Sequence, residues 1–212
     1  MKLMNLTKIS LLTLSLSIGL SSCKKDDNAG VEPIPERDRD EQQIADKDSI
    51  VAYLDSHYYN VSVFDGSNPN ISSKDLVITE LVDGESVPDG HRLLALDTIT
   101  KMVTFAQTDY EIFYIDLNDK TNAPELSPTF ADNVLVTYEG FTLENTVFDS
   151  AVTPTNFDLT TLIPGWRKVL PDFKVSENFV ENGDGTIDYF NHGVGIMFVP
   201  SGLAYFSSGS GS

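Results

Sequence analysis

Residues 134–166 read VLVTYEGFTLENTVFDSAVTPTNFDLTTLIPGW, and the order of signals in this stretch decides the fold. Val134 to Tyr138 is rich in β-branched and aromatic residues and reads as a strand. An aromatic–acid pair follows at Phe148-Asp149, a further short strand at Phe157 to Leu159, and the stretch closes on Ile163-Pro164-Gly165-Trp166. Pro164 suits the first position of a helix, where its missing N–H would have had no partner, and Pro171 suits a terminator. A short helix over 164–170, carrying Trp166, is therefore expected. Working outward, Tyr110 to Leu117 (YEIFYIDL) alternates and supplies an earlier strand, and a second aromatic island, IMFVPSGLAYF, lies at 196–206.

Upstream, Asp38 to Tyr59 carries Ile44, Val51, Leu54 and Tyr58 near helical spacing, with acids toward its start, which predicts an amphipathic helix. Two β-like runs, Asp75 to Val82 and Thr98 to Ala106, are separated by the turn-forming Val87-Pro88-Asp89-Gly90. Residues 38–107 thus form a small helical and β extension without a catalytic constellation. His57, near the end of the helix, sits where the dipole suits a cation, but a lone imidazole makes no site.

The N-terminus speaks to compartment. Lys2 and Lys8 precede a Leu-, Ile- and Ser-rich run from Ile9 to Leu20, which ends in Ser21-Ser22-Cys23. A run this short, closing on small residues, is a signal peptide over 1–22 and not a spanning helix. Cys23 is the only cysteine, so no intrachain disulfide forms. Its position matches a bacterial lipoprotein box, with acylated Cys23 as the mature N-terminus and each buried methylene adding about 0.8 kcal/mol of membrane affinity. Residues 23–37 follow as a polar, proline-bearing tether. Lys24-Lys25-Asp26-Asp27 resembles the export signal of some surface lipoproteins and equally suits a solvated linker, so the membrane face stays open. A formal charge of -18 repels phosphate backbones and argues against nucleic-acid partners, while 41% hydrophobic residues suffice for a real core.

Taken together, the motifs of 134–166 and 196–206 resemble the FKBP-type peptidyl-prolyl cis/trans isomerases, over roughly the C-terminal half. In that family a "V.V.YEG" strand, a "T.FDS" turn, an "F.L" strand and a "VI.GW" helix start surround an apolar pocket, and an "IP..LAYG" segment places a tyrosine over its mouth. The resemblance implies an α+β domain over 108–212, an antiparallel sheet wrapped around a short helix as a half-barrel. It makes Trp166 the floor for a prolyl ring; Tyr138, Phe148 and Phe157 the walls; and Leu162 and Ile163 the rim whose backbone receives the peptide. Asp149 becomes the carboxylate near the carbonyl carbon and Tyr205 the donor to a substrate carbonyl, with no metal or cofactor. The implied partners are proline-containing unfolded or nascent polypeptides, met by a monomer lipid-anchored in the bacterial envelope.

Several features depart from that pattern. The span between Leu159 and Leu162 is short, which trims the rim, and Phe206 stands where the family has glycine. Residues 175–193 hold an insertion, and the family continues into a central strand for which the residues up to Ser212 hold no counterpart. The insertion contains Asn182-Gly183-Asp184-Gly185-Thr186-Ile187-Asp188, which imitates the middle of a calcium loop but would place Val180 and Asn191 at its two ends. A glycine-rich turn is therefore expected there, and His192 beside it has no second His or Cys nearby. No carboxylate pair, serine triad or metal cluster supports hydrolysis. An isomerase is the leading reading, followed by a non-catalytic FKBP-like chaperone and then by a surface lipoprotein of a glycan-handling or motility complex.

Overall fold

The computed structural model describes residues 37–68, 71–118 and 126–208. The chain divides at Glu36/Arg37, and the unit Arg37–Ser212 contains every described residue. The leader, Cys23 and the tether lie outside the described residues. Helix α1 (Arg39–Ser56) is followed by β1 (His57–Tyr59), β2 (Ile78–Glu80), β3 (Arg92–Leu93), the single turn α2 (Leu94–Asp97), β4 (Ile99–Phe105) and β5 (Thr108–Asp116). Then come β6 (Asn133–Phe141), β7 (Val147–Asp158), α3 (Pro164–Val169), β8 (Asn178–Glu181), β9 (Ile187–Phe190) and β10 (Gly195–Phe198). The sheets are antiparallel: β2-β1-β3, β10-β5-β4, and the hairpins β6-β7 and β8-β9. This is the α+β class read from the sequence, although the described strands form four separate sheets instead of one continuous sheet.

Strand β5 organises the unit because both of its faces are covered. Tyr110, Ile112 and Tyr114 pack with Val103, Val169 and Phe173 on the α3 side. Phe113, Ile115 and Leu117 pack with Ile50, Tyr53 and Leu54 of α1 on the other, joined by Ile196 and Phe198 of β10. Each fully buried aliphatic side chain here contributes about 1.5–3 kcal/mol. The turn Ala106-Gln107, where sequence divides extension from domain, is a two-residue hairpin with φ of 49° and 68°. β4 and β5 pair across it from Phe105↔Thr108 to Ile99↔Tyr114.

The helix α1 starts where Asp38 Oδ1 accepts from the N–H groups of Asp40 (2.9 Å) and Glu41 (3.1 Å), an N-cap. Its packed face differs from the expected stripe. Ile50, Tyr53 and Leu54 are buried, whereas Ile44 is 55% exposed and Val51 36%. The phase is shifted because polar residues join the packing side: Lys47 pairs with Glu111, and Asp46 accepts from Ser201. His57 is buried in a structural role, its ring stacked on Tyr53 at 3.7 Å and its Nδ1 3.0 Å from the Tyr53 carbonyl. The Pro88–His91 turn forms as expected, His91 N donating to Pro88 O with Gly90 at φ +77°.

Two readings in the C-terminal half shift. Phe148 and Asp149 lie inside β7, and the actual turn is Leu143-Glu144-Asn145, with Asn145 at φ 61° and its Oδ1 accepting from the Tyr53 hydroxyl at 3.0 Å. Leu159 opens a tight helical turn to Thr161 instead of closing a strand. The insertion folds as the β8-β9 hairpin around a turn in which Asp184 Oδ1 accepts from Thr186 N (3.0 Å) and Oγ1 (2.7 Å), and Gly185 takes φ +83°. Those intraturn bonds hold the loop as a glycine-bearing turn, and no cluster of three or more His, Cys, Asp or Glu among the described residues could hold a metal ion.

Candidate functional site

Helix α3 is the pivot of the site. Pro164 occupies its first turn, as the fixed φ of proline favours, and the next residue is buried against the opposite wall. A Cβ on Gly165 would fall 2.5 Å from Val199 Cγ1 and 3.3 Å from the Leu203 carbonyl, so only glycine allows this approach. Lys101 Nζ locks the other end, donating to Lys168 O (2.8 Å) and to both Asp172 oxygens (2.8 and 2.6 Å). With Val169 turned into the β5 side, Trp166 is left facing the β6-β7 hairpin.

There it meets two rings. Tyr138 lies 5.2 Å from the indole at 88°, Phe157 lies 5.8 Å from it at 72°, and the two are 5.9 Å apart at 64°. Three planes so inclined meet like the walls of a box corner, in the edge-to-face arrangement aromatic rings prefer. All three are half-buried, so the corner still presents apolar ring surface to solvent. A cavity of about 230 Å³ lies elsewhere, among Phe64, Asn118, Lys174 and Glu177, and its mostly polar wall does not suit a prolyl ring.

Polar groups edge the corner. The Tyr138 hydroxyl donates to Asp149 Oδ2 at 2.7 Å, and this bond, followed by partial desolvation and the charge of Asp149, pushes the phenol up to about 12. Tyr138 is therefore a neutral donor at physiological pH, and the carboxylate it holds is fixed beside the corner. Tyr205, 40% exposed, is close enough to Tyr138 for its charge to raise that phenol further. Leu162 and Ile163 are half-buried at the start of α3; the Leu162 N–H donates to Leu159 O and the Ile163 carbonyl accepts from Arg167 N.

The structure thus brings Tyr138, Asp149, Phe157 and Trp166 together, with Tyr205 within electrostatic reach of Tyr138 and with Leu162 and Ile163 at the start of α3. Phe148 is not among the rings of the corner: it is 48% exposed and its ring lies against Gly140, where an added Cβ would come within 2.8 Å of it. The hairpin is bulged between Val136 and Tyr138 and again between Gly140 and Phe141, and such slips re-aim side chains. Phe206 does not plug the corner either. Its ring lies under the Arg39 guanidinium, 4.1 Å from the centroid, a contact that no local sequence signal announces.

Residues 125–208 match the family model described as FKBP-type peptidyl-prolyl cis-trans isomerase. The chain is also 36% identical over 87 residues to a probable FKBP-type peptidyl-prolyl cis-trans isomerase FkpA of Neisseria meningitidis serogroup B (strain ATCC BAA-335 / MC58). That alignment takes in 40% of this chain and 26% of the relative, so the chain spans about a quarter of the length of the curated relative it matches. No solved structure matches the chain. Over residues 125–208 the chain is therefore similar to the FKBP-type peptidyl-prolyl cis-trans isomerases, a likeness that covers less than half of its length.

Proposed function

We propose that this protein catalyses cis/trans isomerisation of prolyl bonds in unfolded or nascent polypeptides, acting as a monomer tethered to the bacterial envelope through acylated Cys23. The observation that carries the reading is the Tyr138, Phe157 and Trp166 corner with Asp149 held at its edge. Rotation about a prolyl amide costs ~18–20 kcal/mol because it gives up C–N double-bond character. An apolar recess strips water from the carbonyl, whose planar ground state is the more polar, and accommodates the twisted proline. In this reading Tyr205 donates to a substrate carbonyl, and Asp149 faces the carbonyl carbon as the amide twists. The tether rests on the Ile9–Cys23 sequence. Intact-mass analysis should find an acylated chain beginning at Cys23, and an unmodified chain beginning at Met1 in the membrane fraction would refute it.

A second reading, a chaperone that holds peptides without turnover, draws on exposed apolar residues of the two hairpins, Leu135, Val147, Phe148, Val152 and Phe179. Trp166 is the only tryptophan in the chain, so its fluorescence reports the corner directly. Titration with a short Xaa-Pro peptide should perturb that emission saturably, alongside faster isomerisation in a protease-coupled assay. Saturable binding without faster isomerisation would favour the chaperone, and no binding would remove both readings.

A further inference from the structure

We infer that the N-terminal helix α1, outside the family-matched residues, is a positioning element for the substrate site, acting through Arg39 and Asp46 on the segment that carries Tyr205. Between Phe198 and Phe206 the chain has little regular structure: it leaves β10, makes one tight turn closed by Leu203 N→Pro200 O (2.9 Å) and Ala204 N→Ser201 O (3.0 Å), and reaches Tyr205. Its direction is set by what grips that turn. Asp46 Oδ2 accepts from both the Ser201 N–H (2.8 Å) and the Ser201 hydroxyl (2.6 Å). Two turns earlier on the same face of α1, Arg39 Nη1 donates to the Gly202 carbonyl (3.2 Å) and the Tyr110 hydroxyl (3.4 Å).

The turn is pressed from the sheet side as well. A Cβ on Gly202 would lie 2.3 Å from the Tyr110 hydroxyl, so the segment is clamped between α1 and β5. On the far side of Tyr205, Phe206 adopts φ +47°, a left-handed conformation unfavourable for a residue with a side chain. The Arg39 guanidinium stacked on its ring offsets that strain. Tyr205 is thus bracketed by two grips from one helix, at Ser201-Gly202 and at Phe206. Its contact with substrate is taken from the isomerase reading, on which this inference rests, whereas its placement by α1 stands on the unliganded structure.

The test uses the full chain labelled with 3-fluorotyrosine, the Tyr205 resonance being assigned by its loss in Tyr205→Phe. Without ligand, Arg39→Met and Asp46→Ala should each shift or broaden that resonance while leaving Tyr59 in place, and Arg39→Lys, which keeps a cation over Phe206, should restore most of the wild-type position. With a short Xaa-Pro peptide, Asp46→Ala should lower kcat/KM by about fivefold, the value of one hydrogen bond, but by less than twofold in the Tyr205→Phe background. Should Asp46→Ala fail to fold, Ser201→Ala removes one of the two donors to Asp46 and should produce the same changes at smaller amplitude. An unmoved Tyr205 resonance in the folded variants, or equal losses in both backgrounds, overturns the inference. Wild-type protein that neither binds nor turns over the peptide overturns the isomerase reading, and the ligand-free spectra then decide the placement alone.

Discussion

The Tyr138 hydroxyl donates to Asp149 Oδ2 across 2.7 Å, joining a wall of the aromatic corner to the only carboxylate among the proposed site residues. Tyr138 titrates ordinarily at 10.0 and is pushed up to about 12, first by this bond. Because the folded pKa is raised, the bond's contribution is complete below pH 10 and is lost as pH rises through about 12. Asp149→Asn should bring the Tyr138 titration back toward 10, read by NMR of carbon-13-labelled tyrosine. A Tyr138 curve unchanged by that substitution would mean that the phenol owes its shift to burial.

Leu54 tests whether the N-terminal extension shares its core with the site domain. It is 3% exposed and packs in the cluster that includes Phe113, Ile115 and Phe198. Leu54→Ala should destabilise the protein by about 2–5 kcal/mol. The loss should appear in one cooperative transition seen alike by far-UV dichroism and by Trp166 emission, although Trp166 lies across the sheet. Two separated transitions would show that the extension folds independently.

Gly165→Ala should destabilise by about 1–3 kcal/mol, because the new methyl overlaps Val199 at 2.5 Å in a packed interior. Val199→Ala in the same chain should recover part of that loss. Thermal melts of the two single variants and the double variant decide it, and simple additivity would contradict the contact.

What sequence revealed of this molecule was local. Pro164 and the β-branched and aromatic run from Val134 to Tyr138 announced α3 and β6 because proline geometry and strand propensity act within a few residues. The β4-β5 pairing was hidden because Ala106-Gln107 adopts a hairpin turn without the Asn or Gly that usually signals one. The face of α1 was misphased because Asp46 and Lys47 find their partners at Ser201 and Glu111, 155 and 64 residues away. At the site, the order Tyr138, Phe157, Trp166 was readable as an aromatic set. The departure of Phe148 was not, since it follows from two bulges that change which face a residue occupies.

Whether the Trp166 corner binds and twists prolyl bonds is tested by protease-coupled isomerisation of a short Xaa-Pro peptide with the wild-type full chain, Trp166→Ala and Asp149→Val. Wild-type protein should accelerate the cis-to-trans phase. Trp166→Ala should weaken peptide binding by about 2–4 kcal/mol, as truncation of an aromatic anchor does. Asp149→Val should lower kcat more than affinity, if the carboxylate acts on the twisted amide. Undiminished binding by a folded Trp166→Ala variant would place the peptide site elsewhere, and no acceleration by the wild type would rule out isomerase activity.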